Sequence, residues 1–261
     1  MSYPALADLG TFIVVLSVGL ATAYLFSKAL RLNLPRIDFK NGKKQVWLCL
    51  VVFSVAFLGT FGIYAFYDKI WVRTTLTADP IYVLRGAIAI CVILLPMLVA
   101  LRYSRQHASD IAITGKSLGR NVAFGTLVSV AFIVFFSVLS PFLAGRYAGF
   151  TEATLYLLFS YVIIGLGEEL VFRGYIQTRL VANNGSIIGI TTSTALYALY
   201  NVPLGFFCYG GNVWLALVYG AWRLSSGLVY GYVFHRSQSI VPPIIVHIFL
   251  VWGGLLFSLY L

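Results

Sequence analysis

Charge is what this chain has least of. Of its 261 residues only 10% are Asp, Glu, Lys or Arg against 60% hydrophobic, with a mean hydropathy of +0.91, and that balance excludes an ordinary soluble globular domain. Acidic residues are the scarcest, 8 against 18 basic, for a net charge of +10. The three cysteines, Cys49, Cys91 and Cys208, sit in apolar runs, so no disulfide framework or CxxC metal site is present. A Walker motif and a haem CxxCH are missing too, and the glycines from Gly205 to Gly211 open no apolar helix of a βαβ unit. No basic stripe interleaves with exposed aromatics, which excludes nucleic acid as a partner.

What the chain has instead is long apolar runs. Crossing roughly 30 Å of hydrocarbon takes about 20 apolar residues, and eight such spans are expected: Leu9 to Leu32, Val46 to Tyr67, Ile81 to Leu101, Asn121 to Phe142, Ala153 to Phe172, Ile187 to Tyr209, Val213 to Phe234 and Ile240 to Leu261. The fold class is therefore all-α, a polytopic transmembrane helix bundle. The first span lacks a basic flank and a small-residue cleavage site, so it reads as a retained helix. Tyr3, Trp47, Trp71, Tyr82 and Trp214 fall near span ends, as interfacial anchors do.

Thirteen of the 18 basic residues fall on one side. They are Lys28, Arg31, Arg36, Lys40, Lys43 and Lys44 after span 1; Arg102, Arg105, Lys116 and Arg120 after span 3; Arg173 and Arg179 after span 5; and Arg236 after span 7. Lys69, Arg73, Arg85, Arg146 and Arg223 lie opposite or within spans. This asymmetry places the basic side in the cytoplasm and both termini on the other side, and suits a prokaryotic or organellar membrane.

An ionisable group inside a span costs at least about 2.5–3.5 kcal/mol and needs a partner or a task. Glu168, Glu169, Arg173, Arg223 and His247 are such groups. Glu169 and Arg173 are four apart, on one helix face at ion-pair distance. Glu168 is turned about 100° from its neighbour, which leaves it free to face a cavity or simply to mark the end of span 5. At 1.5 Å per residue, Glu168 sits roughly 8 Å and His247 about 10 Å inside the cytoplasmic edge, level with each other, with Asn201 nearer 20 Å. Arg223, about midway through span 7, either reaches toward Glu168 or turns to the interface or to helix-end carbonyls. Gly227 and Gly231, and Gly185 and Gly189, form GxxxG pairs suited to close packing inside the bundle.

The run from Gly167 to Gly174, GEELVFRG, resembles the EExxxR motif of the CPBP intramembrane proteases, the family of the type II CAAX prenyl proteases (Ras-converting enzymes) and of bacteriocin self-immunity proteins. Ser193 to Pro203, STALYALYNVP, is similar to the family's FxxxH block, and Gly227 to His247 to its third block. The resemblance runs from about Tyr156 to Val251. It suggests a division into residues 1–150, spans without a motif, and residues 151–261, a CAAX-protease-like core of spans 5 to 8. It implies Glu168 as the base that activates water, Arg173 as the structural partner of Glu169, and His247 as the oxyanion-stabilising histidine. Tyr197 opens the second block. Two positions depart from the family: Asn201 stands where it has the FxxxH histidine, and Val251 where it commonly has an asparagine.

A carboxamide hydrogen-bonds but neither takes up a proton near neutral pH nor ligates zinc as imidazole does. Glu168 and His247 alone fall short of the three protein ligands of a catalytic zinc, so no cofactor is expected unless zinc finds further donors. His107 and His235, in or beside loops, offer little help. The leading expectation is a catalytically impaired pseudoprotease, bound in the bilayer to another integral membrane protein or peptide. The alternatives are an active intramembrane endopeptidase using Glu168, and a transporter or channel subunit.

Overall fold

Hydrocarbon offers no hydrogen-bond partners, so a spanning backbone satisfies itself as helix, and a helix forms at each of the eight apolar runs. The computed structural model describes residues 5–32, 39, 42–71, 80–115, 117–139 and 152–256. Tyr3, Arg36, Lys40, Arg73, Lys116 and Arg146 lie outside them, as do residues 140–142 of the expected fourth span and 257–261 of the eighth. In chain order the helices are α1 (Ala5–Ala29), α2 (Gly42–Trp71), α3 (Pro80–Tyr103), α4 (Leu118–Leu139), α5 (Glu152–Glu169), α6 (Thr178–Asn184), α7 (Ser186–Cys208), α8 (Val213–Ser237) and α9 (Val241–Leu256). The described residues contain no strand. The protein is a polytopic helical membrane protein.

Four stretches are long and apolar enough to cross a membrane: Gly42–Phe66, Gly86–Tyr103, Leu118–Phe135 and Ser186–Cys208. Val15–Ala29 and Val241–Gly253 are shorter apolar helices. The other two expected spans, α5 and α8, carry the charged residues, and packing turns those charges inward. α8 packs on α7, α1 and α9, and α5 on α3 and α9, so Glu168, Glu169, Ser193, Thr194, Asn201, Ser225 and His247 are all buried. Apolar side chains such as Leu58, Leu95 and Ile187 face outward. Trp47 and Trp214, near the first turns of α2 and α8, are 70% and 68% exposed, as amphipathic interfacial rings are.

One expectation fails here. Span 5 does not end at Phe172 in a basic loop. The helix continues as a π-helical segment, Leu170–Gln177, into α6, and Arg173 and Arg179 are buried within it. Arg179 is held by Gln45 of α2 (Nε to Oε1, 3.2 Å), by Gln106 beyond α3 (Nη2 to Oε1, 2.5 Å) and by the Tyr175 carbonyl (2.8 Å). Its guanidinium also covers the Tyr175 ring at 3.7 Å. These two arginines fasten helices together rather than marking a solvated loop.

The chain reverses at Gly185, whose φ of +82° suits glycine alone among ordinary residues, and α7 folds back against α6. A Cβ on Gly189 would stand 2.5 Å from the Val181 backbone nitrogen, whereas one on Gly119 would meet nothing within 4 Å. Gly189→Ala is therefore expected to lower stability by about 1–3 kcal/mol, while Gly119→Ala leaves it unchanged or raises it. Thermal unfolding of the purified protein in detergent separates the two, and equal effects would contradict the close α6–α7 contact.

Candidate functional site

The site grows from one face of the π-helical segment. Glu169, Arg173 and Gln177 follow at intervals of four and meet α8 where it has no side chains, at Gly227 and Gly231. Arg173 Nη2 donates to the Gly227 carbonyl at 3.1 Å and Gln177 Nε2 to the Gly231 carbonyl at 2.8 Å. A Cβ on Gly227 would stand 2.9 Å from Thr194 and Tyr197, and one on Gly231 2.9 Å from Gln177 Oε1. The α8 glycine pair thus does more than let helices approach: it admits two polar side chains and offers them carbonyls. On the other side of the segment, Gly174 packs under the 3-10 turn Ala108–Ile111, where a Cβ would come within 2.8 Å of the Ile111 carbonyl.

Glu169, fully buried, lies at the centre. Its Oε2 pairs with Arg173 Nε at 3.3 Å and its Oε1 with His247 Nδ1 of α9 at 2.8 Å. An ionised carboxylate only accepts, so His247 Nδ1 carries the proton of that bond. The imidazole stacks on Tyr230 (centroids 4.6 Å apart, 13° between planes) and meets Tyr197 edge-on at 6.2 Å. Arg173 lies 4.7 Å over the Tyr197 ring, and Phe172 packs edge-on against that ring at 5.3 Å. The imidazole is fixed in place and in plane, with Nε2 turned toward Glu168 Oε2 at 3.7 Å. That oxygen is buried and makes no hydrogen bond among the described residues.

The expected ion pair of Glu169 with Arg173 is present, and Glu168 and His247 are level and adjacent as their depths implied. The arrangement is tighter than expected, since both glutamates address one histidine. Asn201, one turn beyond Tyr197 on α7, is buried, and its Nδ2 donates to the Tyr197 carbonyl of its own helix at 2.9 Å. Val251, one turn after His247, is buried and apolar. His107 caps the 3-10 turn, where its backbone N–H reaches Asp110 Oδ2 at 2.8 Å, and His235 sits in the last turn of α8; neither belongs to the site.

Arg223 corrects the sequence reading. Its Nε donates to the Tyr219 hydroxyl at 3.0 Å and its Nη2 to the same oxygen. Among the described residues no carboxylate lies within 4.0 Å of it. A tyrosine one turn earlier on the same helix reaches the guanidinium with less chain ordering than a carboxylate two helices away. Sequence reasoning also passed over Tyr230 and Gln177. Gln177 continues the four-residue spacing of Glu169 and Arg173, and Tyr230 lies inside the third block, so signals for both existed.

A zinc ion would need three protein donors. The described residues hold no group of three His, Cys, Asp or Glu placed to bind a metal. Glu168 and His247 come together, but Nδ1 of the histidine is committed to Glu169, itself paired with Arg173. This donor set does not fit a catalytic zinc.

Residues 150–253, about two fifths of the chain, match a family model described as Type II CAAX prenyl endopeptidase Rce1-like. This region is an Rce1-like domain. Membership in the CPBP group, for which GEELVFRG was the sequence signal, rests on that match. Comparison with curated proteins and with solved structures finds no match. The Rce1-like domain contains every residue of the site, from Glu168 to His247.

A buried ion pair that loses one partner leaves an uncompensated charge, at a cost of about 3–5 kcal/mol, whereas removing both charges is far milder. Arg173→Gln is expected to destabilise the protein on that scale, and Glu169→Gln combined with Arg173→Gln to recover most of the loss. Unfolding curves in detergent measure it. A double variant as unstable as the single one would contradict the central place of the pair.

Proposed function

We propose that this is a catalytically impaired CPBP-type membrane protein that retains the acid and imidazole of an intramembrane endopeptidase and uses the site to hold an apolar peptide segment of another membrane protein. The observation that carries this reading is the commitment of Asn201 to its own helix. Its amide nitrogen is taken by the Tyr197 carbonyl, and an amide cannot relay the proton that a water-activating histidine would take. Loss of general acid-base help costs about 100- to 10,000-fold in rate, and an apolar Val251 in place of an oxyanion donor about 100-fold or more. The two together leave little catalysis for Glu168 to support.

The orientation consistent with the basic asymmetry puts the α1–α2, α3–α4 and α8–α9 connections in the cytoplasm, with the polar site toward that side. An active endopeptidase is the second reading, favoured by one observation: Glu168 and His247 remain buried 3.7 Å apart, where Glu168 as base and His247 as proton donor could still address one water and one carbonyl.

Protein reconstituted in liposomes is expected to leave a panel of fluorogenic apolar peptides uncleaved above the Glu168→Ala background. Asn201→His with Val251→Asn is expected to raise cleavage by about 100-fold or more. Cleavage by the unaltered protein that disappears in Glu168→Ala would establish the endopeptidase reading instead.

A further inference from the structure

Arg223 has no place in the acid–imidazole chemistry, yet it sits in the middle of α8 within Coulomb range of Glu168, Tyr197 and Tyr200. We propose that Arg223, oriented by Tyr219, recognises the C-terminal carboxylate of a short apolar peptide whose body lies along α7 and α8 toward Glu168. The inference rests on the peptide-holding reading above and names the chemistry that it selects.

The argument starts from the guanidinium. It presents five N–H donors in a planar fork. Nε and Nη2 converge on the one Tyr219 hydroxyl, whose ring also lies 4.9 Å below the guanidinium carbon. Tyr219 itself is packed at Gly205, where a Cβ would come within 3.0 Å of the Tyr219 Cβ. One edge of the fork is thereby held and its plane fixed. The other edge, Nη1 with the second Nη2 proton, accepts no printed partner's oxygen among the described residues, and the side chain is partly exposed. A carboxylate matches that open edge with two parallel bonds, and at this depth such a pair is little screened.

Depth selects the source of the carboxylate. From the helix end at Val213, Arg223 is roughly 15 Å along α8, the middle of a core about 30 Å thick, beyond the reach of a lipid headgroup. From the matching end of α5 at Glu152, Glu168 is roughly 24 Å along. The offset of about 9 Å equals two to three extended residues at ~3.3–3.6 Å each, so a peptide anchored at Arg223 by its end brings its third or fourth peptide bond to Glu168.

The test uses the full chain in nanodiscs and titrates N-acetyl-Leu-Leu-Leu as free acid and as amide, each corrected against protein-free nanodiscs. The free acid is expected to bind at least tenfold more tightly than the amide. Arg223→Gln is expected to abolish that preference; Arg223→Lys and Tyr219→Phe, which preserve more of the packing, are expected to weaken it without abolishing binding. Equal affinity for acid and amide overturns the proposal while leaving the peptide-holding reading intact, and so does a preference that survives in Arg223→Gln. Failure of both peptides to bind the unaltered protein overturns both readings. Repeating the titration with phosphatidylglycerol in the nanodisc checks the remaining source: loss of the acid preference there assigns the guanidinium to a lipid phosphate and overturns the proposal.

Discussion

A single carboxylate organises this membrane protein. Glu169, without exposure, is shared between Arg173 on its own helix and His247 on α9. A lone carboxylate in such a place costs several kcal/mol, so the fold has to deliver two partners to it. Arg173 in turn needs acceptors for its remaining donors and finds one in the Gly227 carbonyl. Four elements, α5, the π-helical segment, α8 and α9, are thus tied to one charge. Glu168 and His247 inherit their geometry from it, because the atom that holds His247 Nδ1 decides where Nε2 points.

The π-helical segment is the local price of that arrangement. A π turn bonds i to i+5 and is uncommon outside functional sites. Here it keeps Arg173 and Gln177 directed at two glycine carbonyls of α8 while Gly174 admits the 3-10 turn above it. Ser193 supports the segment by donating to the Phe172 carbonyl at 2.8 Å, and Thr194 donates to the Gly227 carbonyl at 3.3 Å. The polar side chains of α7 therefore serve the backbone of their neighbours, which is how a membrane interior tolerates irregular helix.

Some of this was legible in the residues alone. Rarity made the buried charges visible, the four-residue spacing put Arg173 beside Glu169, and a constant helical rise put Glu168 and His247 at one depth. Rise fixes depth but not azimuth, so the sharing of His247 by both glutamates stayed hidden. The extension of α5 stayed hidden for a different reason: in spans that are hydrophobic all round, a polar run such as FRGYIQTR reads as a loop, although its side chains are consumed inside the bundle. Arg223 shows the same blindness. Its depth was right, but the nearer hydroxyl of Tyr219 took the guanidinium that seemed destined for Glu168. The stacking of Tyr230 on His247 depends on how α8 and α9 face each other, which no local pattern encodes.

The account stands most directly on the protonation of one nitrogen. If Glu169, held by Arg173, orients the imidazole, then His247 Nδ1 carries a proton. Solid-state NMR of ¹⁵N-histidine-labelled protein in lipid, with His247 assigned by comparison with His247→Gln, reads this from the ring nitrogen shifts. The account predicts a protonated Nδ1. An unprotonated Nδ1, with the proton on Nε2 alone, would contradict it.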